Sequence, residues 1–204
     1  GFKAMQAGFG LTSMVTNMAE AAGDYEEQLA AIQGRTGSTT EEMKKLSDAS
    51  MDAAMATQFS PTEVVKGLSD MSTAGLQVNE MLASLRPALD LAATSVGQLG
   101  VVDAANAIVG TVKSMNMSLS ETADVTDKLF KITQITNFQA RDFGTALSRA
   151  TVAGNAYNQT LDDTLITMGL LRNLNIEASV ASTSLREAIP RLATDQTTQQ
   201  PITR

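Results

Sequence analysis

Three adjacent carboxylate pairs, Glu26-Glu27, Glu41-Glu42 and Asp162-Asp163, are the groups best equipped for acid–base work. Two carboxylates can share the acid and base roles of glycoside hydrolysis, but neighbours on a helix point about 100° apart. Two of the pairs also fall in first turns, where the helix dipole favours negative charge, so all three read as structural. Ser47 beside Lys44 and Lys45 is the one Ser/Lys arrangement, and it reads as a solvated helix face. Gly8-Phe9-Gly10 is a lone G-x-G inside a helical stretch, with no phosphate loop and no D-x-D-x-D-G cation loop to support it. The sequence contains no Cys and no His, which excludes disulfides, Cys/His zinc sites and every His-based acid–base mechanism. The expectation is therefore no catalytic residue, no cofactor, no metal and no enzymatic activity.

With 15 basic and 22 acidic residues the 204-residue chain carries a net charge of −7, which disfavours a nucleic-acid surface. The best apolar run, Leu91 to Val102, is too short and too polar to span a membrane. Aromatics are only 4% and Met numbers 11, so the apolar content is Ala, Leu, Val, Ile and Met, a helix-forming mixture. Small side chains let helices approach closely but bury little area each, which favours help from partners. The Met residues fall mostly on apolar helical faces, Met51 and Met55 one turn apart, and read as core filling. The chain opens at Gly1 and enters a helical pattern at once, as a piece of a longer protein would.

The elements that must position any site are helices. Leu11, Val15, Met18, Ala22, Tyr25, Leu29 and Ile32 step by 4 and 3 in alternation, the rhythm of a coiled coil over three heptads. A helix over residues 2–33 is roughly 48 Å long, and these seven residues are the candidate self-association seam. Beyond Gly34, shorter segments open at capping signals: Ser38-Thr39-Thr40-Glu41, Ser60-Pro61-Thr62-Glu63, Asn79-Glu80, Ser118 to Glu121 and Thr160 to Asp163. The spacing predicts helices near 40–57, 61–74, 79–96, 100–115, 119–136, 139–153, 161–173 and 177–192, with no strand. Gly75, Gly154 and residues 173–175 mark stops. An echo recurs at 74–80, 115–121 and 153–159, an interval near 40 that suits stacked helical hairpins. The expected fold is all-α: a long N-terminal amphipathic helix over 1–33, a compact array of helical hairpins over 34–193, and a polar linker over 194–204.

Tyr25 to Ile32, the run Gly37 to Leu46 and Thr57 to Val64 together resemble the core region of bacteriophage tail tape-measure proteins. The likeness continues through Met71 to Leu76, Leu85 to Ala93, Gly169 to Leu171 and Ser184 to Ala188, covering residues 19–193. It implies a helical virion protein that occupies the tail-tube lumen or tip, sets tail length during assembly in the host cytoplasm and takes part in genome ejection. The implied partners are copies of itself, as trimer or hexamer, the tail tube, the tip or baseplate hub, and assembly chaperones. Some relatives carry peptidoglycan-cleaving domains or hydrophobic segments, and neither is visible in this stretch. Two other classes fit less well. A chemoreceptor-type cytoplasmic signalling bundle shares the Ala, Ser, Thr, Met and Glu bias, but Pro61, Pro87 and Pro190 interrupt its heptads. A helical cell-wall hydrolase needs an isolated carboxylate in a cleft, and the sequence singles out none.

Overall fold

Helix-forming composition and repeated caps produce α1 (Phe2–Thr36), α2 (Thr40–Ala56), α3 (Pro61–Thr73), α4 (Val78–Thr94), α5 (Val101–Ser114), α6 (Thr122–Ile135), α7 (Thr145–Ala156), α8 (Leu161–Asn173) and α9 (Ala178–Thr198). The computed structural model describes residues 2–198, with side chains from 16 to 191 apart from Thr145. Two 3-10 turns, Leu119–Glu121 and Ala140–Phe143, precede α6 and α7, and no strand occurs among the described residues. The protein is all-α.

α2, α3, α8 and the two 3-10 turns each start with a capping box, a bond between a cap and the residue three positions on. Ser60 N donates to Glu63 Oε2 at 2.8 Å while Glu63 N donates to Ser60 Oγ at 3.3 Å. Pro61 takes the first helical position, where its missing N–H costs nothing. Ser118 with Glu121 and Thr160 with Asp163 repeat the device, as expected. The first box sits one residue later than the sequence suggested, at Thr39 and Glu42 rather than Ser38 and Glu41. Gly37 adopts φ +65, and the Ser38 hydroxyl turns back to Thr36 Oγ1 at 2.7 Å, which leaves Thr39 as the cap.

Helix ends follow a second rule. Gly75, Asn116, Asn158 and Asn175 all take positive φ. The next residue then donates its N–H to a carbonyl five positions back: Leu76 to Met71, Met117 to Val112, Gln159 to Gly154 and Ile176 to Leu171. The sequence placed the third stop at Gly154, but this residue lies inside α7 and the left-handed residue is Asn158. A side chain at Gly154 would collide with Thr164 Oγ1, so the glycine serves close helix packing rather than termination. The third copy of the sequence echo accordingly moves to 157–163. Pro87 and Pro190 do not end α4 and α9, which run through them. α9 includes residues 194–198 of the expected linker, since no Gly or Pro follows Pro190 until Pro201, and the remaining linker residues lie outside the described region. The loop after α4 holds Val96 at φ +53, a costly geometry for a β-branched residue, while Leu99 N donates to Ser95 Oγ at 3.0 Å.

Two compact units divide the chain between Leu82 and Ala83, a boundary that α4 crosses. In the first, α1 packs along α3 and touches α2, which also lies on α3. Ile32, Leu46, Val64 and Leu68 are fully buried there. Arg35 Nη1 ties α1 to α3 by donating to Ser69 Oγ at 3.1 Å and Ser72 Oγ at 3.0 Å. In the second unit α7 packs against α5, α8 and α9, and α6 lies against α5 and α8. Ile108, Leu129 and Leu147 are buried, and Phe138 stacks on Phe143 with ring centroids 5.5 Å apart.

Close approach of α6 and α8 depends on Gly169, where an added Cβ would meet Thr136 Cγ2 at 2.7 Å and Ile132 Cδ1 at 2.9 Å. Gly110, inside α5, has open space around the same position. Gly169→Ala is therefore expected to destabilise by about 1–3 kcal/mol through overpacking, whereas Gly110→Ala stabilises by about 0.5–1 kcal/mol through helix propensity. Urea unfolding of the two variants measures both, and equal shifts would refute the close contact.

Candidate functional site

The seam residues do not share one environment. Ile32 is fully buried, Leu29 is half-buried, and the Tyr25 hydroxyl lies 2.6 Å from Ser50 Oγ and donates to Ser47 O at 3.2 Å. These three are engaged within the first unit, against α2 and α3. Met18, 70% exposed, and Ala22 lie in a stretch, residues 16–24, that is exposed on every face of α1. The side chains of Leu11 and Val15 lie outside the described residues.

The carboxylate pairs are taken up by the scaffold. Glu41 pairs with Lys45 at 3.2 Å, and Asp162 with Lys128 at 3.0 Å, while Lys128 also reaches Asp124 at 3.0 Å. Glu42 and Asp163 are cap residues, and Glu26 and Glu27 are exposed. Lys44 pairs with Asp48, so Ser47, whose Oγ lies 3.1 Å from the Tyr25 hydroxyl, has no lysine partner in the observed bonds. Among the described residues no cluster of three or more Asp or Glu side chains could hold a metal, and no helix is long and apolar enough to cross a membrane. Met51 and Met55, expected in the core, are exposed on α2, whereas Met43, Met71, Met81 and Met168 are buried.

Sequence reasoning missed two surface features in the second unit. Ile166, Leu170 and Leu174 are 52%, 58% and 72% exposed at four-residue spacing along α8 and just beyond it, with Ile135 of α6 62% exposed. The signal was available: α8 is apolar on more than one face, which a helix with a single buried face does not require. The second feature is a cleft of about 390 Å³ lined by Arg141, Asp142, Arg172, Glu177 and Ser179. Asp142 Oδ2 there accepts from Gln139 N at 3.1 Å and lies 3.2 Å from Arg172 Nε, so one carboxylate caps a turn and holds a cation. Arg172 Nη1 donates to Ile176 O at 3.0 Å. The arrangement is a clasp in which Asp142 and Arg172 tie the turn before α7 to the end of α8.

Packing faces and caps, rather than reactive groups, are what the geometry offers. Residues 41–202 match the family described as phage-related minor tail protein. The chain belongs to that family. It is also 27% identical over 170 residues to the tape measure protein of Pneumococcus phage Dp-1, a match covering 83% of this chain and 15% of that relative. No solved structure matches. As a member of the minor tail protein family the chain is a structural phage-tail protein, and it spans only a small part of the length of the relative named above.

The caps give this minor tail protein an acid response. Backbone N–H donation from Thr39 and Ser60, then their hydroxyls, holds Glu42 and Glu63 below the usual carboxylate range, and the Thr160 hydroxyl followed by its N–H does the same for Asp163. A carboxylate whose pKa falls on folding stabilises the fold fully above its unfolded value and loses that contribution as pH drops through the folded value. Lys128, raised by bonds to Asp124 and Asp162, has the opposite sign and loses its contribution only in strong alkali. The melting temperature should fall as pH drops below about 4, and the triple variant Glu42→Gln, Glu63→Gln, Asp163→Asn should flatten that fall. A triple variant as steep as the parent would place the acid response elsewhere.

Proposed function

We propose that this stretch is the folded core segment of a tape-measure protein, acting without catalysis in setting tail length during assembly and in genome ejection. The observation that carries this reading is the match to a tape measure protein over most of the chain. In this reading the protein resides in the phage tail, inside the tube or at its tip, and is assembled in the host cytoplasm. Its contacts are the tail tube, the tip or baseplate hub, the assembly chaperones and copies of itself, as trimer or hexamer. The N-terminal helix, residues 1–33, is the extended, self-associating part, and 34–193 is a docking module.

Support for the division comes from α1, whose residues 16–24 are exposed on all faces while residues beyond Tyr25 pack against the first unit. An unpacked helical turn gains little from propensity alone, so association through Leu11, Val15, Met18 and Ala22 would supply what this stretch lacks. Tyr25, Leu29 and Ile32 continue the same stripe but pack on α2 and α3, and so join the seam to the module.

Two measurements test the proposal. Met18→Asp places a charge in the seam at an exposed position, so light scattering should report loss of oligomers while circular dichroism is unchanged; an unaltered mass would rule the seam out. In-frame deletion of residues 40–190 from the parent gene, against an equal deletion elsewhere, separates the roles by electron microscopy. Malformed or absent tails are expected for a docking module, whereas shortening by roughly 1.5 Å per residue lost would make the stretch itself part of an extended ruler. Normal infectious tails would end the tape-measure reading.

A further inference from the structure

The chain uses two kinds of turn between its helices, and it uses them in the same order twice. After α1, Gly37 takes φ +65, Thr39 caps α2, and Glu42 closes the box. After α5, Asn116 takes φ +52, Ser118 caps the next turn, and Glu121 closes the box. The offset between these two turns is 79 residues throughout.

The second kind of turn is more distinctive. Thr57 ends α2 in an extended conformation, φ −131 and ψ −178, and Thr136 ends α6 at φ −138 and ψ 175. Thr57 Oγ1 donates to Ala53 O at 2.8 Å and accepts from Phe59 N at 3.4 Å. Thr136 Oγ1 donates to Ile132 O at 2.7 Å and accepts from Phe138 N at 3.1 Å. Each is followed by a box, Ser60 with Glu63 and Gln139 with Asp142. The segments read Thr-Gln-Phe-Ser-Pro-Thr-Glu and Thr-Asn-Phe-Gln-Ala-Arg-Asp, again 79 residues apart. The third turn in each series is left-handed once more, at Gly75 and Asn158. Here the offset widens to 83, one helical turn, after the 3-10 turn Ala140–Phe143 that α3 lacks.

Packing follows the correspondence at the first helix of each series: α1 contacts α2 and α3, and α5 contacts α6 and α7, although α2 packs on α3 while α6 packs on α8. Arg35 on the first helix of one set donates to Ser69 and Ser72 on the third, and its counterpart Ser114 donates to Thr151 at 2.6 Å. Buried positions coincide at Leu46 and Val125, Ser50 and Leu129, Val64 and Leu147, and Leu68 and Thr151. Any all-α chain reuses common turns, but chance reuse does not return two different turns in one order with a spacing of 79 residues kept over both.

We infer that residues 22–90 and 101–173 are two copies of one series of four helices and three turns, so that the repeating block of this tail segment is about 80 residues long rather than a hairpin of about 40. The inference is independent of any role in length determination, because it concerns only what the chain repeats. It makes α1 the counterpart of α5 and α4 the counterpart of α8, and it explains why the sequence echo near 40 residues is only half a period.

The test exchanges turns within the full 204-residue chain. One variant carries TNFQARD at 57–63 and another carries TQFSPTE at 136–142, which includes Ala140→Pro. A third carries the left-handed turn sequence of 157–163, YNQTLDD, at 57–63. Both matched exchanges should keep parental helicity and melt within about 4 °C of the parent, while the mismatched one should lose about 10 °C or more. A matched exchange as damaging as the mismatched one would overturn the equivalence, and so would a mismatched exchange as benign as the matched ones.

Discussion

A helix leaves its first N–H groups without partners, and a chain cut into helices of 12 to 17 residues, as α2 to α8 are, must answer that deficit every few turns. Here a hydroxyl or amide three residues ahead of a carboxylate does so repeatedly, each group bonding the other's backbone. The rest of the structure depends on this device because helices this short are marginal alone and hold only when their apolar faces are aligned on the core. Caps fix where α2, α3 and α8 begin, and that in turn fixes which of their residues reach the core. Shifting a start by one residue turns the apolar face by 100° and would move Leu46 or Leu68 toward solvent.

Fold class and most helix boundaries were legible for the same reason. Ser60-Pro61-Thr62-Glu63 is a chemical instruction that needs no tertiary context, and the structure places α3 where it points. The failures have a common cause as well. Gly154 and the first capping box were misplaced because each decision belonged to a neighbour: Thr164 needed room at Gly154, and the left-handed Gly37 moved the cap to Thr39. Pro87 and Pro190 lie inside helices expected over 79–96 and 177–192, and α4 and α9 do run through them, since a helix tolerates one missing bond when the rest of it is held.

The candidate interaction residues were less legible than the fold. Heptad periodicity put Tyr25, Leu29 and Ile32 in one seam with Met18 and Ala22, and periodicity reports that a stripe exists without saying which partner covers it. α2 and α3 cover the C-terminal part. Met51 and Met55 carried the opposite error, since four-residue spacing marks a face but not the side of the helix on which the core lies. The apolar exterior of α8 escaped notice because a helix that is apolar on several faces gives no periodic signal at all.

The turns are closed by hydrogen bonds spanning six residues or fewer, and this locality bears on how the chain reaches its native state. Forming such contacts costs little loop-closure entropy, and proteins dominated by them fold in microseconds to milliseconds. Ribosomes deliver about 5–20 residues per second, so each helical unit can settle before the next has emerged. Within this segment, the helices can form before the packing between them is complete. Local punctuation thus shortens the time for which the apolar faces of this segment stand uncovered during synthesis.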